Sequence, residues 1–404
     1  MANNVKINGT TYSGVSKVEL ENADSAGTYI EFTAGGGGIE GGYNITFKVD
    51  GNDWYFASIV QGDYLEKPAN PTKAGYYFQG WGTTPDATTF VQFPVTPSAD
   101  TTYYAIFVQA QVATVTGLGN SDPATVTFTR DANFPTTFET WTDGNNNVFV
   151  KIPTMYRKVL ASSNGQITSF AIATGKVDEH YEVYPIFKDG NNILPYVCIG
   201  VYCYSDTTYA SSSVSGDAVV AIGDARTMAR AVGTGYQQYD LHFQKLFQDL
   251  ALVISQTVNF NTGTTIENYM GIHNLDGYIW VDGIAGTGSA WVASDDPTKY
   301  ADSPTSSTDG YYQLGYAQPT TSSSEIQALG YDTNHPFVNY PKTVTSNSSY
   351  NTYYCDGYYY NSGSHPVYSN VGRAYAYGGL WLCYASRSWT DTSRARLCYR
   401  PLAA

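Results

Sequence analysis

The chain has 404 residues, enough for two to four domains that each bury a core. Only 14% of it is charged, and 39 Gly, 37 Tyr and many Ser, Thr and Asn stand in for the missing charge. Aromatic residues at 15% exclude a disordered chain, and a net charge of −14 excludes an electrostatic grip on nucleic acid.

The first residues, Met1-Ala-Asn-Asn-Val-Lys-Ile-Asn8, contain no apolar stretch of the signal-peptide type. No run approaches the roughly 18–20 apolar residues of a membrane span, so membrane insertion is not expected. The cysteines, Cys198, Cys203, Cys355, Cys383 and Cys398, are few and odd in number, which predicts a reduced chain rather than a disulfide framework. They form no CxxC pair, and His180, His242, His273, His335 and His365 are scattered, so neither a metal nor a cofactor is expected.

Weak alternation over the first forty residues (Val5 and Ile7, Val18 and Leu20, Ile30 and Phe32) predicts short strands. The run Ala34-Gly-Gly-Gly-Gly-Ile-Glu-Gly-Gly42 reads as a hinge. From Tyr43 the pattern sharpens: Ile45, Phe47 and Val49 alternate with polar residues, and Asp50-Gly51 supplies a hairpin turn. The segment Lys67-Pro-Ala-Asn-Pro-Thr-Lys-Ala-Gly-Tyr-Tyr-Phe-Gln-Gly-Trp81, followed by the strand Thr101–Val108, resembles an internalin-type B-repeat module. That resemblance covers about residues 43–109 and implies a β-grasp-like spacer or adaptor without chemistry of its own.

Strands are predicted over Ala124–Arg130 and Asn147–Pro153, and the run Leu194–Cys203 has the length and branching of a buried strand. Two helices are legible. Gly223–Gly233 is short and ends in glycine, and the second starts at the N-cap Asp240 and runs to about Gln256. Phe243, Phe247, Leu250 and Ile254 give the second helix an apolar stripe, and His242 needs no functional reading. Residues 303–365, rich in Ser, Thr, Asn, Gly and Tyr, read as long loops. Gly379–Ala385 and Ala395–Arg400 then read as two strands, with Cys383 and Cys398 able to face each other as packing residues.

No catalytic constellation is present. Asp178-Glu179 and Asp295-Asp296 read as solvated loop acids, no Gly-x-Ser-x-Gly elbow occurs, and Gly35–Gly38 lacks the Lys-Ser/Thr of a phosphate loop. The protein is therefore expected not to be an enzyme. Tyrosine is what is concentrated. Twelve lie between Tyr340 and Tyr399, including the run Tyr358-Tyr359-Tyr360, set among Ser, Gly, Asn and Asp. This is the composition of a paratope, where a rigid amphipathic ring gives contact area at low entropic cost.

The C-terminal part resembles the variable proteins of diversity-generating retroelements, phage tropism determinants built on the formylglycine-generating-enzyme branch of the C-type lectin fold. The residues that carry this are Val148–Lys158, His180–Phe187, Leu194–Tyr202, the helix Leu241–Gln256, Gly372-Arg373, Gly379-Leu380-Trp381 and Arg396-Leu397. The resemblance implies an α+β chain: a C-terminal C-type lectin fold preceded by small β-rich, β-grasp-like modules. The implied division is an attachment segment with its hinge at 1–42, the spacer at 43–109, and a display domain at 110–404 whose variable part is about 350–400.

In such proteins adenine-directed mutagenesis rewrites surface codons. That implies Tyr375, Tyr377, Tyr384, Ser386, Arg387, Asp391 and Arg394 as variable ligand contacts, with Trp381 and Trp389 as fixed anchors and Tyr358, Tyr359 and Tyr360 on the same surface. Cys383 and Cys398 are too far apart for the oxidase cysteine pair, and the calcium-dependent sugar motifs are only partly matched by Gln318-Pro-Thr and Trp389-Thr-Asp391. The function implied is that of a phage tail-fibre-tip protein that binds a bacterial surface receptor, protein or glycan. Its implied partners are other phage tail proteins and two further copies in a homotrimer, and its place is the virion after synthesis in host cytoplasm. A cell-encoded adhesin of the same fold is the first alternative, and a formylglycine-generating or carbohydrate-active enzyme the second.

Overall fold

The computed structural model describes residues 4–7, 10–13, 30–31, 42–73, 75–120, 122–204, 219–258, 268–273, 278–321, 324–345, 357–360, 365–370, 383–385 and 393–402. The chain forms two compact units, Met1–Val108 and Gln109–Ala404.

In the first unit Thr10–Ser13, Asn4–Ile7 and Ile30–Glu31 form a small antiparallel sheet. A separate four-stranded sheet runs in the order Asn52–Val60, Gly42–Val49, Thr101–Gln109, Tyr76–Gly82. Its first two strands form a hairpin whose turn residues Asp50 and Gly51 both take positive φ, 49° and 82°. Only a primed turn has the twist to join two adjacent strands so tightly. Strand alternation then sends Ile45 and Phe47 into the core, where they meet Leu65, Trp81 and Tyr103. The rings of Phe47 and Trp81 meet edge to face at 4.7 Å.

The second unit is organised around three sheets. One is antiparallel throughout and runs Glu139–Thr142, Val148–Pro153, Tyr196–Gly200, Leu397–Tyr399, Tyr236–Gln238. Another runs Glu182–Val183, Tyr156–Ser163, Gln166–Ala173, Val112–Thr116, Thr127–Arg130. The third has ten strands and holds Tyr278–Gly286, His365–Asn370, Cys383–Ala385, Gly357–Tyr360, Ser324–Leu329 and Pro341–Thr345 in consecutive order. Among the described residues two α-helices complete the unit, α1 (Ile222–Val232) and α2 (Leu241–Ser255).

This composition corrects the α+β expectation: the chain is mostly β. Among the described residues the two α-helices hold 11 and 15 residues, too little to make a helical layer, and sheets supply the framework. Residues 303–365 also depart from the loop expectation, since Tyr312–Ala317, Ser324–Leu329, Pro341–Thr345 and Gly357–Tyr360 are strands. Their Tyr and Thr content satisfies β-propensity even where Ser and Gly suggest turns. Cys383 and Cys398 do not share a hairpin. Their strands lie in different sheets, and Cys398 is buried and free.

α2 starts as its sequence dictates. The Asp240 side chain accepts from the backbone N–H groups of His242 and Phe243, and the helix stops at Gln256 in the left-handed region. Its apolar stripe was legible, but its surroundings were not. Every residue from Leu241 to Val253 is buried, so the polar positions His242, Gln244, Lys245, Gln248 and Asp249 also face protein. A helix buried on all sides must find internal partners for such groups. Asp249 does so completely. One oxygen accepts from Lys245 Nζ at 2.9 Å, and the other meets Arg157 Nε and the Tyr184 hydroxyl, each at 3.0 Å.

Candidate functional site

Two places in the second unit bring polar and aromatic residues together. The first is the strand group that carries the tyrosine run. Gly357–Tyr360 pairs in parallel with Cys383–Ala385, which pairs antiparallel with His365–Asn370. The registers set Tyr359 opposite Tyr384, and Tyr384 opposite Tyr368, so three tyrosines from three adjacent strands form one cross-strand row. Directly opposed residues on neighbouring strands lie on the same face of a sheet. Tyr368 was not singled out from the sequence; only the pairing reveals it.

Tyr358 is a correction. It is 1% exposed, packs in the main core, and donates from its hydroxyl to Pro319 O at 2.7 Å. Alternation along the strand turns this residue inward, so it anchors the strand and contacts no ligand. Arg394 is partly buried, and between its strand and Cys383–Ala385 the same sheet places Tyr278–Gly286 and His365–Asn370. Tyr359, Tyr360 and Tyr384 are placed by their strands. Tyr375, Tyr377, Trp381, Ser386, Arg387, Trp389 and Asp391 lie outside the described residues.

The second place is a cleft of about 790 Å³ where α2 begins. The 3-10 turn Pro185–Phe187 and the hairpin after it form one wall, and the loop Gly233–Gln237 another. Asp295–Thr298 and the chain at Arg400–Leu402 complete it. The loop must be glycine-rich here. Gly235 has φ +84°, and a Cβ on it would stand 2.1 Å from the Arg400 carbonyl, whose own N–H donates to Gly235 O at 2.9 Å. Gly235→Ala therefore forces the two segments apart and adds a strained backbone. The expected cost is about 2–4 kcal/mol of unfolding free energy, read as a lower melting temperature.

Inside the cleft Asp240 is fully engaged. Beyond its two capping bonds, its second oxygen accepts from Gln237 Nε2 at 2.6 Å and from the Tyr300 hydroxyl at 3.0 Å. Asp295 has a different environment. His242 Nε2 lies 3.0 Å from Oδ1, the Tyr312 hydroxyl donates to the same oxygen at 2.8 Å, and His335 Nδ1 is 3.7 Å from Oδ2. The His335 ring stacks on Tyr312 at 3.4 Å. Burial opposes the Asp295 charge, but His242, Tyr312 and His335 together outweigh it and hold the carboxyl below its usual range. Tyr312 moves the other way, raised by burial and by the Asp295 charge.

The sequence reading of Asp295 as a solvated loop acid missed this constellation, and so did the reading of His242 as functionally silent. His242, Tyr312 and His335 lie 53, 17 and 40 residues from Asp295 along the chain, and only the fold joins them. Among the described residues no group of three or more His, Cys, Asp or Glu is arranged to hold a metal ion.

Residues 43–106 match the family model of the Listeria-Bacteroides repeat domain, a repeat of bacterial surface proteins. The resemblance to a B-repeat is thereby shown at that level. No curated protein matches the chain.

Proposed function

We propose that the protein is a receptor-binding protein of the phage tail-fibre-tip kind. In this reading the repeat at 43–106 is a spacer and the second unit displays a tyrosine-rich, diversified surface to a bacterial receptor. The observation that carries the proposal is the register that aligns Tyr359, Tyr384 and Tyr368 across three adjacent strands. A row of tyrosines on a rigid sheet gives broad amphipathic contact with few torsions to freeze, which suits binding rather than catalysis. The surface-protein repeat in the same chain is compatible with a role at a cell surface or against one. The motif order from Val148 to Leu397 supports the likeness to retroelement-diversified proteins. Trimerisation, tail partners and a place on the virion belong to this reading as well. The alternative is a cell-encoded adhesin with the same spacer and display unit.

Sequencing the locus and its flanks across isolates tests the proposal. Substitutions confined to adenine-templated codons between about 350 and 400, beside a reverse transcriptase gene and tail genes, are expected. Uniform sequence in that segment overturns diversification. Surface-anchoring genes in place of tail genes favour the adhesin. On the protein itself, Tyr359→Ser with Tyr384→Ser is expected to weaken binding to receptor-bearing cells at least tenfold, as befits central aromatic contacts.

A further inference from the structure

We propose that the cleft at the start of α2 is a second binding site, separate from the tyrosine row, and that it takes a neutral saccharide. Its volume of about 790 Å³ falls in the range of small-molecule sites and would hold a few sugar rings. It is built from distant segments that close on one another through main-chain bonds, so it is a formed feature of the fold. Apart from Arg400 at its edge, none of its lining residues lies in the stretch of about 350–400 expected to vary.

The charges select the ligand. Lys188, Arg230 and Arg400 line the cleft, and so do Asp189, Asp295 and Asp296. Asp240 also lines it, but both its oxygens are already taken by the protein. Its charge remains, so three cations face four carboxylates, and this near balance gives no strong field for a polyanion or a polycation. What remains is a mixed set of donors and acceptors, which matches a molecule that carries both functions on every carbon.

His242 supplies the independent sign of a ligand. Its side chain is 3% exposed and lines the cleft, and its Nδ1 has no hydrogen-bond partner in the protein. Nε2 faces Asp295 Oδ1 at 3.0 Å, and it is Nδ1 that is left over. A buried polar atom without a partner is a standing penalty that a ligand can remove. With Nε2–H directed at Asp295 Oδ1, Nδ1 is an acceptor in the neutral ring and a donor in the charged one. A hydroxyl serves in both states. A carboxylate or phosphate needs the charged ring, and an ammonium needs the neutral one. Arg230, whose guanidinium already donates to Pro297 O, and Lys188 would hold neighbouring oxygens of the same sugar.

The test uses the full-length protein. Saturation-transfer NMR and thermal shift would be run with galactose, N-acetylglucosamine, lactose and maltose, and with N-acetylneuraminic acid, inorganic phosphate and calcium chloride as separate probes. At least one neutral sugar is expected to bind and to raise the melting temperature. His242→Gln is expected to weaken that sugar at least tenfold. Lys188→Ala, at an exposed position on the rim, is expected to weaken it several-fold without unfolding, which keeps the test decisive if His242→Gln misfolds. The proposal fails if only phosphate, N-acetylneuraminic acid or calcium gives a response. It fails equally if no probe binds, or if a sugar binds with the same affinity to both variants. Failure here leaves the tyrosine row untouched, because the two sites share no residue.

Discussion

Asp249→Asn is expected to lower the unfolding free energy of the larger unit by about 3–5 kcal/mol, the usual result of stripping one partner from a buried ion cluster. Asn has nearly the shape of Asp, so no cavity forms and the loss is electrostatic. Asp249 is 0% exposed, and Arg157 and Lys245 beside it are almost as deeply buried. Arg157 is committed elsewhere too. It donates to Pro336 O at 2.8 Å and to Asn339 Oδ1 at 3.0 Å, and lies over the rings of Phe170 and Phe337. With Asp249 neutral, the Arg157 guanidinium would remain between Phe170 and Phe337 with no counter-charge, and Lys245 would be driven to its neutral form. Urea unfolding monitored by far-UV circular dichroism checks the value. A midpoint within error of the parent would show that the cluster contributes nothing.

The same cluster sets a pH dependence with a definite sign. Burial lowers the Lys245 pKa from 10.5 to about 7, with Arg157 pushing the same way and Asp249 opposing. Between those two values the unfolded chain holds a proton that the folded chain has released, so stability rises as pH climbs above about 7. The rise ends where buried thiols take over. Burial pushes Cys198 up to about 12 and Cys398 well above 9, so the unfolded chain alone loses those protons above about 9, and stability then falls. A maximum near pH 8–9 is therefore expected, and Lys245→Met should flatten the rise below it while leaving the fall above.

What the sequence made legible, and what it hid, divides along a physical line. Local rules worked. The alternation of Ile45, Phe47 and Val49 gives the strand Gly42–Val49, the branched run from Leu194 holds the strand Tyr196–Gly200, and Asp240 caps the helix it was expected to cap. Each is a statement about neighbours in the chain. The misses are statements about what lies opposite. Nothing local marks Lys245, Asp249 and His242 as buried; their partners Arg157, Tyr184 and Asp295, far off in sequence, make them interior. Tyr358, Tyr359 and Tyr360 are equivalent as letters. Pairing with Ser324–Leu329 and Cys383–Ala385 buries the first and puts the second in a row with Tyr384. The cleft was invisible for the same reason, since its walls come from residues between Pro185 and Leu402.

Trp81→Ala is expected to unfold the four-stranded sheet of the first unit altogether. A buried Trp cut to Ala costs about 3–5 kcal/mol, and a β-unit of some sixty residues has little more than that in reserve. Trp81 is 1% exposed and is the centre of its core: Phe47 meets it at 4.7 Å, Phe78 at 5.3 Å and Trp54 at 5.6 Å. Its indole N–H is buried without a partner, so the residue acts here through packing alone. Trp81→Phe should then cost far less than Trp81→Ala, because it keeps most of the contact area and removes an unsatisfied donor. Trp54→Ala, at a residue 42% exposed, should cost under about 1 kcal/mol. Hydrogen exchange read by mass spectrometry on peptides from Gly42–Val49 and Thr101–Gln109 separates Trp81→Ala from the other two variants. Full exchange within seconds is expected for Trp81→Ala and near-parental protection for the other two. If Trp81→Ala stays protected, the module draws its stability from somewhere other than this aromatic centre.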